Sequence, residues 1–305
     1  MTSERDNIRV RNWFITGGTP GGFGMAFAEA ALEAGDRVVL TSRRPGELIT
    51  WARAFGDRVL VVPLDVTDAA QVRAAVSAAQ DFGGIDVLVN NAGRGWYGSV
   101  EGMAGSDIRA MFDLNFFAVV AVLRAALPGM RARGAGWVVN VSSVAGLSGT
   151  VGFGYYSATK FAIEGLTEVL REEVAPFGIR VLTVEPGAFR TNTYAGFADE
   201  PITESVVEYR ELLTQVRAAM VTQDGAQPGD PRRGARAVLA AMTQDPPPQR
   251  LVLGSEGFDV ATSALERTLA DLRRNETLSR SADFPHPSGD LEEKEPGIAI
   301  RPVHR

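Results

Sequence analysis

Short, nearly continuous apolar runs alternate with longer amphipathic stretches along this chain of 305 residues. The runs fall at 12–16, 37–41, 59–63, 87–90, 137–141, 181–184 and 251–253. Runs of this kind suit parallel strands covered on both faces. Between them the apolar positions follow a helical period. Residues 23–34 are alanine-rich and stop at Gly35, a residue that readily closes a helix. Residues 68–80 open after Thr67, a residue type that caps helix N-termini. Longer helices are predicted over 106–130 and 156–174, the second closed by Pro176 and Gly178. Strand and helix alternate about six times, which predicts an α/β fold: a doubly wound parallel sheet of about seven strands. Right-handed crossovers then gather the strand carboxyl ends along one edge, where ligands bind.

The rhythm breaks at 192–232. An amphipathic stretch at 205–219, flanked by Gly and Pro, reads as a helical insertion and a lid over the cleft. The prolines at 246–248 make a rigid turn before the last strand, and 257–276 is helical. Residues 1–10 read as a flexible leader and 11–280 as a single domain. Residues 281–305 are polar and proline-bearing and read as a disordered or surface-draped tail.

Composition narrows the chemistry. A net charge of −6 provides no basic field to gather phosphates, so no nucleic-acid partner is expected. The absence of cysteine excludes disulfides, thiolate nucleophiles and cysteine metal sites. The two histidines, His286 and His304, lie in the last twenty residues. A Ser-His-Asp hydrolase or a histidine-ligated zinc site would need them in the folded body, so no metal site is expected. Acid–base work near neutral pH is left to Tyr, Lys, Asp or Glu. Apolar runs such as 118–123 fall far short of the roughly 20 residues that span a bilayer, and the N-terminus is polar with mixed charge. No membrane association and a cytoplasmic location are therefore expected.

Three stretches carry candidate chemistry. Residues 14–26 read FITGGTPGGFGMA, directly between a strand and a helix. Glycines there let the backbone approach a dinucleotide's pyrophosphate, and the helix N-terminus offers unpaired N–H groups. The second strand ends in Ser42, Arg43 and Arg44, without the acid that grips a ribose 2′-hydroxyl in NAD sites. Two arginines suit a 2′-phosphate instead, so NADP(H) is expected over NAD(H). In the third stretch, Tyr156 and Lys160 are four apart at a helix start and share one face, with Ser143 thirteen residues before the tyrosine. A neighbouring ammonium is expected to lower the phenol's pKa, and Ser143 can hold a substrate oxygen beside it.

These markers occur in a fixed order: the glycine turn at 17–24, Leu64-Asp65-Val66, Asn90-Asn91-Ala92-Gly93, Asn115, Ser143, Tyr156 with Lys160, and Pro186-Gly187 followed by Thr191. In this order the chain resembles the short-chain dehydrogenase/reductase family over about residues 11–276. The resemblance implies a Rossmann-like domain and hydride transfer between a nicotinamide and a carbonyl or secondary alcohol. It implies that Tyr156 is general acid or base, that Lys160 also holds the nicotinamide ribose, and that Ser143 positions the carbonyl. Asn115 would hold a water that links Lys160 to solvent. Gly17, Thr19, Gly22, Phe23 and Gly24 would cradle the phosphates, Asp65 and Val66 would flank the adenine, and Asn90 to Gly93 would line the middle of the cofactor. Pro186, Gly187, Phe189 and Thr191 would close over the nicotinamide.

Trp96, Tyr97, Phe153 and Tyr194 are expected to wall an apolar substrate site beside Ser143, and Arg94 to reach solvent. The resemblance also implies a homodimer or homotetramer. A departure lies in the glycine turn: from Thr16-Gly17, four residues separate Gly17 from Gly22 where the family has three, whereas from Gly18 the spacing to Gly22 and Gly24 is the family's but Gly17 replaces the threonine. The strand ending WFIT favours Thr16-Gly17, so 18–21 should bulge while Gly22 and Gly24 keep their places. The basic residue that NADP users often carry in this turn is absent. An NADP-sensing regulator, or an isomerase or dehydratase using the cofactor transiently, are the alternative readings.

Overall fold

The computed structural model describes residues 10–284. The expected leader, apart from Val10, the tail beyond Phe284 and both histidines lie outside the described residues. The chain divides into two compact units, Met1–Ala264 and Leu265–Arg305. In the first, seven parallel strands lie in the order β3-β2-β1-β4-β5-β6-β7. They are β1 Asn12–Ile15, β2 Arg37–Ser42, β3 Val59–Pro63, β4 Val87–Asn90, β5 Gly136–Val141, β6 Ile179–Pro186 and β7 Arg250–Leu253. All seven predicted strands are present. β6 runs four residues longer than its apolar core because Ile179 and Glu185 at its ends are also buried.

The helices are α1 Phe23–Glu33, α2 Ile49–Arg53, α3 Ala69–Phe82, α4 Gly105–Phe112, α5 Ala118–Arg133, α6 Gly154–Val174, α7 Thr193–Gly196, α8 Arg210–Thr222, α9 Pro231–Ala241, α10 Ser255–Arg274 and α11 Glu276–Arg280. The second unit, as far as Phe284, holds the end of α10 and α11, each carrying an i,i+3 or i,i+4 ion pair, Arg274 with Asp271 and Arg280 with Glu276. No helix is predicted at 49–53, and α9 has no predicted bounds.

Strand alternation builds the core on both faces. Trp13 and Ile15 pack with Phe27, Ala31, Leu40, Val89 and Val238 on the side of α1 and α9. Phe14 between them packs with Val39, Leu88, Val122 and Ile163 on the side of α3, α5 and α6. The N-cap of α3 is Asp68, whose carboxylate accepts from the Ala70 and Gln71 amides. Thr67, the expected cap, is otherwise engaged, since its hydroxyl donates to Asp65 Oδ1 at 2.7 Å.

The predicted helix 106–130 is a continuous helical run over 105–133 with a wide π turn at Asp113–Phe117. Such one-residue expansions reorient a side chain, and here the turned residue is the buried Asn115. By length and composition this run could cross a bilayer, contrary to the expectation from its short apolar blocks. In the fold its inner face, including Val119, Val122, Leu123 and Met130, belongs to the core.

The end of the sheet opposite the strand carboxyl ends is tied by two acids, Asp86, which accepts from the Asn12 amide at 2.8 Å, and the more deeply buried Asp36. Asp36, 2% exposed, accepts from the Arg11 amide (2.9 Å), Arg11 Nε (2.9 Å) and the buried Trp13 Nε1 (2.8 Å). Replacing it with alanine leaves a buried indole N–H without its acceptor. Asp36→Ala should cost about 3 kcal/mol, read as a lower urea midpoint at unchanged slope.

Candidate active site

The strand order reverses between β1 and β4, and the crevice beyond their carboxyl ends is where an open α/β sheet binds ligands. A cleft of about 730 Å³ lies there. Its walls come from the β1–α1 turn, the ends of β2, β3 and β4, the β5–α6 segment, the 186–197 loop, α8 and the start of α10.

Close backbone contacts shape the glycine turn. Gly17 has φ +81°, and a Cβ on it would stand 2.9 Å from Ala92 Cα. A Cβ on Gly24 would stand 2.3 Å from the Gly17 carbonyl oxygen and 2.8 Å from Asn91 Nδ2. Gly22 is the N-cap of α1, and no side chain caps that helix. The extra residue is absorbed in a tight turn: the Gly22 amide donates to the Thr19 carbonyl (3.0 Å), across Pro20 and Gly21. Gly21 has φ +77°. Proline second and a positive-φ glycine third is the residue pattern of a type II turn. Gly17, Thr19, Gly22 and Phe23 line the cleft, whereas Gly24 is buried behind the turn.

The opposite wall at this end is polar. Ser42, Arg43 and Arg44 line it, together with Leu64, Asp65 and Val66. Ser42 Oγ accepts from the Arg44 amide (3.0 Å), and the Arg44 guanidinium pairs with Glu47 at 3.1 Å. Asp65 accepts from the Thr67 hydroxyl and amide, which hold its carboxyl below the usual range. It therefore organises its own turn as well as facing the cleft.

Asn91 is largely structural: its Nδ2 donates to the Thr16 (2.8 Å) and Gly17 (3.2 Å) carbonyls. Ala92 and Gly93 line the cleft with it. Asn90 does not. It is 3% exposed and donates to Asn140 Oδ1 at 2.8 Å inside the sheet.

At the centre, Ser143, Tyr156 and Lys160 converge on the cleft. The Ser143 hydroxyl accepts from the Ala145 amide (3.1 Å) and lies close enough to the Tyr156 hydroxyl to favour its charged form. Lys160 is 6% exposed, and its Nζ donates to the Val141 carbonyl at 3.0 Å. The expected lowering of the Tyr156 pKa does not appear. Burial pushes the phenol up, the nearby Ser143 hydroxyl opposes this, and the ammonium is 5.7 Å from the ring centroid and bonded elsewhere. Burial instead lowers Lys160 to about 8, with Glu164 opposing. Asn115 lies just behind. Its side chain clamps Arg94, accepting from the amide (3.0 Å) and donating to the carbonyl (2.9 Å), and its Nδ2 also reaches Thr159 Oγ1 at 3.3 Å.

The outer end of the cleft is apolar. Phe153 packs edge-on against Tyr156 and Phe197, and Tyr194 lies beside Phe197. Two expected wall residues stand elsewhere. Trp96 and Tyr97 line a smaller pocket of about 160 Å³ with Met103 and Leu213. The Tyr97 ring backs Phe197 from outside the cleft, and its hydroxyl is spent on the Glu200 carbonyl. Arg94 does not simply reach solvent: its guanidinium lies 4.2 Å over the Trp96 ring and pairs with Glu200.

Pro186, Gly187, Phe189 and Thr191 line the inner wall, with the Phe189 ring packed on Phe23 at 4.8 Å. Sequence reasoning missed Asn192, whose Nδ2 donates to the Pro20 carbonyl (2.9 Å) and so ties this loop to the glycine turn. The expected lid reaches the cleft through Met220 and Gln223 of α8, whereas Glu256, Gly257 and Val260 of α10 were not anticipated. The contact of Gly187 with Gly257, where a Cβ would stand 2.9 Å from the facing Cα, brings α10 to the cleft. No local motif marks it.

These features fit an NAD(P) dinucleotide. The glycine contacts and uncapped α1 suit a pyrophosphate, the polar wall suits an adenosine ribose, and Tyr156 and Lys160 suit the nicotinamide ribose.

Comparison with known proteins agrees. The short chain dehydrogenase family pattern matches residues 11–201. Oxidoreductase BOA17 of Botryotinia fuckeliana is 38% identical over 256 residues, 83% of this chain and 92% of that protein. The crystal structure of a short-chain dehydrogenase from Streptomyces avermitilis superposes with a TM-score of 0.82 at 41% identity, covering 90% of this chain and all of that one. Two further structures are 25% identical. One, from Burkholderia cenocepacia with NADP, has a TM-score of 0.67 and covers 87% and 97% of the two chains. The other, from Burkholderia phymatum with NAD, has a TM-score of 0.70 and covers 92% and 98%. Fold, ordered site and relatives converge: this chain belongs to the short-chain dehydrogenase family of NAD(P)-dependent oxidoreductases.

Proposed function

We propose that the chain reduces an apolar ketone or aldehyde with NADPH, or oxidises the corresponding alcohol with NADP, and that Tyr156 is the acid or base. The carrying observation is that the Ser143 and Tyr156 hydroxyls face the same cleft close together, with the buried Lys160 beside them. When bound, the nicotinamide supplies the hydride in reduction and accepts it in oxidation.

The chain's own residues account for the proton. Ser143 already accepts from the Ala145 amide, so its O–H is left to donate to the substrate oxygen. Tyr156 donates to the same oxygen. Its raised pKa keeps it a phenol, as a general acid must be. The phenolate left behind is stabilised by the Lys160 ammonium, whose charge acts across a buried and weakly screened gap. Phe153, Tyr194, Phe197 and Met220 supply the apolar wall that favours a hydrophobic substrate.

The preference for NADP(H) rests on Arg43. Arg44 is engaged with Glu47, whereas Arg43 lies at the cleft wall near Asp65 and Arg94 with no carboxylate at the ribose position. Self-association through the outer faces of 105–133 and 154–174 is part of the same reading, supported by the exposed Phe117, Phe161 and Val169.

Two measurements test this reading. Tyr156→Phe should lower kcat for NADPH-dependent carbonyl reduction by about 10²–10⁴-fold with the fold intact; equal rates in the two proteins would sink the assignment. Arg43→Ala should weaken NADPH binding by roughly 10-fold to 100-fold, about 1.5–3 kcal/mol, and leave NADH binding within about twofold. An equal loss for both cofactors would assign Arg43 a general role instead.

A further inference from the structure

Behind the cleft, on the side of β6 and β7, the structure buries two carboxyl groups that the mechanism above does not use. Glu164 lies one helical turn after Lys160 and is 6% exposed; Glu185, near the end of β6, is fully buried. Among the described residues, none of their four oxygens has a hydrogen bond of full geometry. The Ser142 hydroxyl lies against Glu164 and the Leu251 amide against Glu185 at longer reach. Both acids address one cation, Arg250, at 3.4 Å from Glu164 and 3.8 Å from Glu185.

The other charged groups facing the pair come from α6. They are Lys160, committed to the Val141 carbonyl, and Arg171, whose N–H groups reach the Val181 and Gln249 carbonyls and Thr183 Oγ1. The 144–146 turn brings only Val144, Ala145 and Gly146.

Two buried carboxylates have one cation in contact, Arg250, loosely held, while Arg171 and Lys160 act from further off and give their N–H groups to carbonyls. An ionised carboxyl deprived of water and of full hydrogen bonds is costly, and two of them repel. A single proton on the pair removes one charge and matches the remaining one to Arg250. Glu164 also adjoins the catalytic group on two sides. It shares the helical face of Lys160, and a Cβ on Gly146 would stand 3.1 Å from its Oε1, so the turn that follows Ser143 rests on this carboxyl.

We infer that Glu164 and Glu185 act as one carboxyl pair, holding a single shared proton at neutral pH, and that the pair sets the charge of Lys160 from behind the cleft. They are positioning residues: they touch neither substrate nor cofactor. The pKa directions agree. Burial, then Glu164, pushes Glu185 up to about 8, with Arg250 opposing. Burial likewise raises Glu164, and Glu164 in turn holds Lys160 higher than burial alone would leave it. As pH rises through about 8 the pair gives up its proton and Glu164, the member that acts on Lys160, is left fully charged. A carboxyl whose folded pKa is raised destabilises the fold progressively between its ordinary value and the raised one. Wild-type stability therefore falls between 4.5 and about 8 by an amount that Glu185→Gln does not show.

The bearing on turnover rests on the proposed carbonyl reduction, but the pair can be tested without it. The chain has only two lysines, Lys160 and Lys294, so isotopically labelled lysine gives two side-chain NMR signals with Lys294 as internal reference. Lys160 should titrate near 8 in the wild type and lower by on the order of one pH unit in Glu164→Gln. Titration at the same pH in both proteins overturns the inference.

Infrared spectra of the wild type should show a protonated-carboxyl band that disappears as pH passes about 8 and is missing from Glu185→Gln. Its absence from the wild type, or its persistence in the variant, equally overturns it. If Glu164→Gln fails to fold, Arg250→Gln removes the half-exposed cation and should move that band to higher pH; an unmoved band counts against the pair. In active protein the alkaline limb of kcat/KM should follow the Lys160 titration in each variant, and a limb that ignores it leaves the carboxyls a merely structural role. Failure to reduce any carbonyl would count against the proposed function alone.

Discussion

The site depends on how closely two strand exits approach each other at the point where the sheet reverses. β1 leaves through Thr16 and Gly17, β4 through Asn91 and Ala92. The Thr16 hydroxyl accepts from the Asn91 and Ala92 amides, both at 3.0 Å, and donates to the Val89 carbonyl at 3.3 Å. Asn91 returns a bond to the Thr16 carbonyl, and Gly24 closes on Gly17 with no room for a Cβ. Three short residues and one amide thus fix the start of α1, the exit of β4 and the floor of the cleft as one unit. Every later feature, from the polar wall of β2 to the buried Lys160, is positioned by strands that register on these two.

Burial decides the electrostatics of this floor more than pairing does. A spacing argument puts an ammonium next to a phenol and expects the phenol to acidify. The fold buries the ammonium, ties it to a backbone carbonyl and leaves the phenol to a serine. Desolvation then disfavours both charged forms, raising Tyr156 and lowering Lys160 to about 8, so the two move apart. The expected cause, an ammonium acidifying its neighbour, is therefore absent: burial holds the phenol protonated and favours a neutral amine. The uncompensated charges behind Lys160 belong to the same balance, since Glu164 works against the desolvation of the lysine.

What was legible in the sequence follows from the range of the interactions involved. Strands buried on both faces appear as apolar runs, and β3 and β4 match their runs end to end. Residues whose role is local, such as Ser143, Tyr156 and Lys160, carry their spacing with them. The cap at Asp68 was misread because Thr67 is an equally good cap by type, and only the three-dimensional turn shows it committed to Asp65. Trp96 and Tyr97 follow the Asn-Asn-Ala-Gly run closely enough to be placed in the cleft. Their direction is set by Arg94 and Glu200, more than a hundred residues apart in sequence. The part of the wall from α10 was illegible for the same reason: it depends on two glycine backbones meeting across seventy residues.

The irregular glycine turn shows how an insertion can be absorbed without disturbing a site. An extra residue between Gly17 and Gly22 must go somewhere, and shifting either end would break the Gly17–Gly24 contact. The Pro20-Gly21 turn takes it up in place, because proline and a positive-φ glycine pre-set the reversal. The displaced Pro20 carbonyl then becomes the acceptor for Asn192, so the lengthened turn gains a tie to the loop over the nicotinamide end. The same turn carries no basic residue. Any recognition of a 2′-phosphate must therefore come from the end of β2, where Arg44 is held by Glu47 and Arg43 faces the cleft.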